Sequence, residues 1–171
     1  MPLRKPGADN KVSKARVKSL EKLKNSTPAK KKNELEYTVK TYFKYDESQR
    51  KQFYVISIFT VKEFASLNYE ISVDVKKQKS VIDISLLGLN TRQTYYLEAR
   101  SAYCDLLFEN LFGKHTISLI KQDGSINQYI VEYNIFKKEI VLLESLLPKK
   151  KNNRQFSSFE VASDLFTFSG D

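Results

Sequence analysis

Cysteine, tryptophan, histidine and glycine are all scarce in this chain of 171 residues, and each shortage removes a class of protein. The single cysteine, Cys104, excludes an internal disulfide and a thiolate metal cluster. With no tryptophan and no cysteine pair, the disulfide-and-indole core of an immunoglobulin domain is excluded, so only an architecture can be argued and not a lineage. Five glycines are few for an all-β protein and argue against a long run of tight hairpins.

Long apolar runs are missing as well. The longest, near Tyr54 to Val61, is far short of a bilayer span, and no apolar leader opens the chain. The expectation is an intracellular, soluble protein, cytoplasmic rather than mitochondrial. A presequence would favour Arg over Lys and avoid acids, whereas this N-terminus is Lys-rich and carries Asp9 and Glu21.

Catalytic and cofactor signatures are equally sparse. GxGxxG, GxxxxGK followed by Ser or Thr, HExxH and CxxC do not occur, and no cofactor or metal is expected. His115, the only histidine, stands eleven residues from Cys104, with no third residue to orient a nucleophile–base pair. Free cysteine is among the most buried residue types, so Cys104 reads as packing and His115 as a strand-end residue. Carboxylates are spread singly; Glu70 and Asp74 share a strand face among polar neighbours and read as solvated surface. A non-enzymatic protein is expected.

What the chain does have is period-two alternation. Leu35, Tyr37, Val39, Phe43 and Tyr45 alternate with Glu36, Thr38, Lys40 and Lys44. Phe53 to Val61 is apolar on both phases, as in a strand covered on two sides. Tyr69 to Val75 and Val81 to Leu87 alternate again, with Gly88 to Arg92 expected to turn. Tyr95, Leu97 and Ala99 suggest a further strand, while Tyr103 to Phe112 fits either a short helix or a strand. The clearest stretch is His115 to Glu144, three strands joined by a turn at Asp123-Gly124 and another at Phe136-Lys137-Lys138. The pattern predicts an all-β fold: a single antiparallel β-sandwich of about eight strands, Ig-like or jelly-roll-like, over residues 34–147.

Charge divides the chain sharply. Residues 1–33 hold Arg4, Lys5, Lys11, Lys14, Arg16, Lys18, Lys22, Lys24, Lys30, Lys31 and Lys32 against Asp9 and Glu21, so 11 − 2 = +9. The remaining 29 − 11 = 18 basic and 20 − 2 = 18 acidic residues cancel. This arm also has Pro2, Pro6 and Pro28 and few large apolar residues, so disorder is expected, with a partial helix over Ser13 to Lys24 on binding.

Lysines on a loose chain neutralise phosphates without fixed geometry, and counterion release drives association. The expected partner of the arm is an anionic polymer, RNA or DNA backbone, bound without sequence readout. A solubilising tail is the bland alternative. Stable membrane insertion is not expected, since the arm lacks bulky aromatic anchors. Tyr42, Tyr54 and Tyr96 fall on the phase opposite the core aromatics and suggest an exposed stacking face.

Residues 148–171 begin with a basic linker, Pro148 to Arg154, and continue as a Phe-rich tail. Phe156, Phe159, Leu165, Phe166 and Phe168 suit either a last strand or flap on the domain itself or a docking peptide for a protein partner. The functional expectation is a binding or structural module of a larger assembly. Protein contacts or self-association would use the sheet or the tail. The alternative is a scaffold subunit docking through the tail without nucleic acid.

Overall fold

In a computed structural model, the described residues are 34–65, 67–92, 98–151 and 153–170. They form β1 (Tyr37–Asp46), β2 (Lys51–Phe64), β3 (Asn68–Gln78), β4 (Val81–Arg92), β5 (Arg100–Phe108), β6 (Gly113–Lys121), β7 (Ile126–Asn134), β8 (Glu139–Leu146) and β9 (Ser157–Val161). A single 3-10 turn, Ser163–Leu165, follows β9. Among the described residues no helix is long and apolar enough to cross a membrane.

The all-β expectation holds, but the sandwich does not. All nine strands lie in one sheet, ordered β8-β7-β6-β4-β3-β5-β2-β1-β9, which curls into a nearly closed barrel. Nor is it purely antiparallel: β1 with β9, β4 with β6 and β3 with β5 run parallel. Alternation shows that one face of each strand is buried. It does not say whether a second sheet or the same sheet coiled round supplies the cover.

Closure comes from long strands that bend. β2 spans 14 residues and β4 spans 12. Register shifts between Phe59 and Glu63, between Ser72 and Val73, and between Ile130 and Val131 each add local twist. Gly88 lies at the second of these, with φ of 151°, a backbone state that L side chains rarely adopt. It was expected to begin a turn; instead β4 runs through it to Arg92, paired with β3. A glycine inside a strand marks a bulge as readily as a chain reversal. Tyr103 to Phe112 resolves as strand β5 to Phe108, followed by a loop. Tyr95 and Leu97 lie outside the described residues.

The interior is lined by Val39 and Phe43 of β1, Tyr54, Ile56 and Ile58 of β2, and their counterparts round the barrel. β2 lies between β1 and β5 and is buried on both phases, as its unbroken apolar run predicts. Two tyrosines are fully enclosed and must place their hydroxyls. The Thr41 hydroxyl donates to the Val55 carbonyl at 2.9 Å, so the Tyr133 hydroxyl donates to Thr41, also at 2.9 Å. The Tyr129 hydroxyl donates to the Ser157 carbonyl at 2.8 Å.

The sheet ends at β8 and β9, and side chains of β7 reach across to β9. The buried Asn127 carboxamide oxygen accepts from the amides of Phe156 and Ser157 and from the Ser157 hydroxyl, each at 2.9 Å. Its amide group donates to the Arg154 carbonyl at 2.9 Å. One side chain thus does the work of a missing stretch of ladder. Replacing Asn127 by Ala leaves two buried N–H groups without an acceptor, and a loss of about 2–4 kcal/mol is expected in urea denaturation. A loss under about 0.5 kcal/mol would show that closure does not depend on this contact.

Candidate functional site

The eleven basic residues of the arm, Arg4 through Lys32, lie outside the described residues. The C-terminal candidates are all within them. Phe156 is fully buried, with the Lys121 ammonium 5.5 Å and the Arg154 guanidinium 5.9 Å from its ring centroid. Phe159 lies 4.8 Å from the Tyr129 ring. Beyond the 3-10 turn, the Thr167 amide donates to the Phe43 carbonyl at 3.0 Å, and the Tyr45 amide donates to the Thr167 hydroxyl at 2.9 Å. That tether brings Phe166 and Phe168 to 5.0 and 5.4 Å from the Phe43 ring. Leu165, at the turn, stays 44% exposed. Of the two readings of the tail, the described residues form a last strand and a flap on their own barrel.

β1 runs from Tyr37 to Asp46, and the two ends of the barrel can be named after these residues. A partly buried group of four charged side chains lies at the Tyr37 end. Lys121, at the end of β6, lies 2.7 Å from a Glu36 carboxylate oxygen and 3.6 Å from Asp123. Arg154 pairs with the other Glu36 oxygen and lies 3.7 Å from Asp123. Four strand ends are thereby tied over Phe156. Burial opposes the charged form of Glu36, but hydrogen bonds and charge from Lys121 and Arg154 outweigh it, holding its pKa below the ordinary 4.5. Asp123 is also held low: burial opposes ionisation, and Ser125, Lys121 and Arg154 overcome it. Both anions and both cations are satisfied within the group, which suits a structural clamp.

The residues that could have made a nucleophile–base pair are apart. Cys104 is on β5 and His115 on β6, with β3 and β4 between them in the sheet. Burial, then the nearby Asp105 and Glu70 carboxylates, push the Cys104 thiol up to about 12. His115 is buried beside Tyr133, their ring centroids 6.0 Å apart, and burial pushes its pKa down. The Glu70 and Asp74 carboxylates are solvated as expected, Glu70 pairing with Arg92 at 2.8 Å and Asp74 lying 3.9 Å from Lys76. Among the described residues, no group of three or more His, Cys, Asp or Glu is placed to hold a metal ion.

The expected tyrosine face does not form as proposed. Tyr54 lies inside the barrel, edge to face with Phe43 at 5.3 Å and with Tyr133 at 5.7 Å. On a strand buried on both sides, phase does not separate inside from outside. Tyr42 is half-buried, 3.3 Å from the Ser57 hydroxyl, and Tyr96 lies outside the described residues.

A different aromatic surface exists at the Asp46 end. Phe112, in the β5–β6 loop, is 60% exposed, and Phe136, in the β7–β8 turn, is 86% exposed. Gly113 pairs with Tyr133, which brings the two loops together, and the rings meet at 5.7 Å and 72°. The turn is firmly set: the Asn134 carboxamide accepts the Lys137 amide at 3.0 Å, and the Lys138 amide donates to the Ile135 carbonyl at 3.1 Å. Lys138 closes it with φ of 52°, as Arg50 does after the Asp46-capped β1–β2 turn. Lys114, Lys137 and Lys138 flank the rings in sequence, and the Lys77 ammonium reaches the Asn110 carbonyl at 2.6 Å. Phe136-Lys137-Lys138 read only as a turn in the sequence; the available signal was a large aromatic placed where a turn needs none.

Two measurements follow from this chemistry. Glu36 has a depressed folded pKa, so the stability it contributes is present above 4.5 and lost as pH falls through the lower folded value. Glu36→Gln should lower the urea midpoint at pH 7 and flatten the decline below pH 4.5, whereas parallel declines in both proteins would show the clamp to be inert. Cys104 should resist a disulfide reagent at pH 8 in the native protein and react on unfolding; fast native reaction would contradict the burial of its thiol. No protein-family model matches this sequence, and neither curated proteins nor solved structures show a significantly similar chain.

Proposed function

We propose that this protein is a non-enzymatic binding module of a larger assembly, in which the lysine-rich residues 1–33 engage RNA or DNA backbone and the barrel makes protein contacts. The observation that carries the reading is the partition of charge: 11 − 2 = +9 in the arm, against 18 basic and 18 acidic residues elsewhere. The barrel supports it by keeping many of its own cations engaged. Lys40, Lys51, Arg92, Lys121 and Arg154 each lie within ion-pair distance of a carboxylate. Two carboxylates against eleven cations leave the arm no comparable internal neutralisation.

A second reading places the principal contact with a protein at the C-terminal segment. It is favoured by Leu165, whose side chain remains 44% exposed while its aromatic neighbours pack on Phe43. In that case nucleic acid would not be involved.

Salt dependence separates the two. If about six of the arm's cations engage a duplex, log K against log salt should fall with a slope of about −5. Changing the arm's eleven basic residues to Gln should abolish binding to a 20-base-pair duplex at low salt. Retention of binding, or a slope near zero in the native chain, would favour the second reading.

A further inference from the structure

The Asp46 end of the barrel pairs apolar rings with lysines, a combination the fold does not require. Phe136 is 86% exposed at the tip of a short turn, where it adds nothing to the core. Exposure of one large apolar side chain is ordinary, but two in mutual contact on neighbouring loops form a patch. Their 72° interplanar angle makes an edge-to-face pair, which leaves a flat ring face uncovered.

The charge around the rings selects the ligand. Lys114 and Lys137 flank them in sequence, and Lys138 follows with its ammonium 4.3 Å from the Phe168 ring centroid. The Lys77 ammonium donates to the Asn110 carbonyl of the same loop. The acidic residues at this end include Asp46, Glu47, Glu109, Glu139 and Glu132, which faces Lys114 across the β6–β7 ladder. Asp46 is committed to the amides of Ser48 and Gln49, and Glu109 to Lys51 at 2.9 Å. Exposed apolar rings with lysines beside them in sequence match a ligand with flat apolar faces and regular negative charge. A single-stranded nucleic acid has both: bases stack on aromatic rings, and phosphates meet lysines. A duplex hides its bases and offers only the charge. A protein partner of this polarity would need an acidic surface but no planar groups.

We propose that Phe112 and Phe136, with Lys114 and Lys137, form a site that stacks unpaired bases of a single-stranded nucleic acid. The site rests on the polyanion reading of the arm and adds to it a preference for unpaired nucleotides. Phe136 is the main platform, being the more exposed ring and the one set by a capped turn.

The test uses the full chain, with a fluorescent 20-nucleotide uridine oligomer, a 20-base-pair duplex and vesicles of phosphatidylserine and phosphatidylcholine. Because both rings are exposed, Phe112→Ala with Phe136→Ala should fold with an unchanged thermal transition. It should bind the single strand about tenfold or more weakly than the native chain, with duplex affinity and salt slope unchanged. Phe136→Leu, which keeps apolar bulk without a flat face, should show the same direction of loss. A 2-aminopurine base in the oligomer should be quenched by the native chain and not by the double variant. Unchanged single-strand affinity alongside intact duplex binding would overturn the site and leave the arm reading standing. Failure of the native chain to bind either oligomer would overturn both. Loss of vesicle binding in the double variant, with single-strand affinity unchanged, would reassign the surface to a membrane.

Discussion

An open sheet exposes a row of unpaired amides and carbonyls along each edge, and a nine-stranded sheet must either shield those rows or risk pairing with other chains. Here the last strand is laid parallel against the first, and Asn127 reaches over from β7 to hold its leading residues. The remaining features follow from that closure. Phe156 can be buried only because β9 is held there, and the Glu36, Lys121, Asp123 and Arg154 group forms a lid over it. The parallel pairing also brings the C-terminal turn to Phe43, so the tail completes the core on its own molecule.

The two ends of the barrel meet their charges differently for one physical reason. At the Tyr37 end, cations and anions come from segments brought together by closure, and they neutralise each other in a half-buried setting where an unmatched charge would be costly. At the Asp46 end the loops are short reversals set by Asp46 and Asn134, whose side chains satisfy turn amides. Such turns need little from the core, so their tips are free to carry Phe136 and a run of lysines. The Tyr37 end has its charges paired within one partly buried group. The other end displays apolar surface beside cations.

Most strands were legible because the alternation of Val39 with Lys40, or of Val131 and Tyr133 with Glu132 and Asn134, reports a local property, the half-buried pleat. Asp123-Gly124 was legible for the same reason: Gly124, at φ of 80°, meets a backbone need that few other residues meet. Strand order was not legible, since β4 beside β6 and β1 beside β9 are decided by pairings between distant residues. Closure in place of a sandwich depends on bulges near Ser72 and Ile130 that leave no mark on hydrophobicity. Tyr54 was misplaced because both phases of β2 are covered. The contact of Phe112 with Phe136 was not legible, because one reads as the end of an ambiguous helix-or-strand stretch and the other as a turn residue, and only the β6–β7 pairing brings the two loops together.

The position of β9 also bears on how the molecule comes into being. Tyr37 near the start of the barrel pairs with Ser157 near its end, about 120 residues later. The intervening strands emerge from a ribosome well before the segment that seals them, so each nascent chain passes through a stage with β1 still unpaired on that side. Contacts this remote in sequence also form slowly, because a long loop must close before they gain anything. Nascent chains crowded on one message would meet in that unsealed state, and the late-arriving tail is what ends the interval.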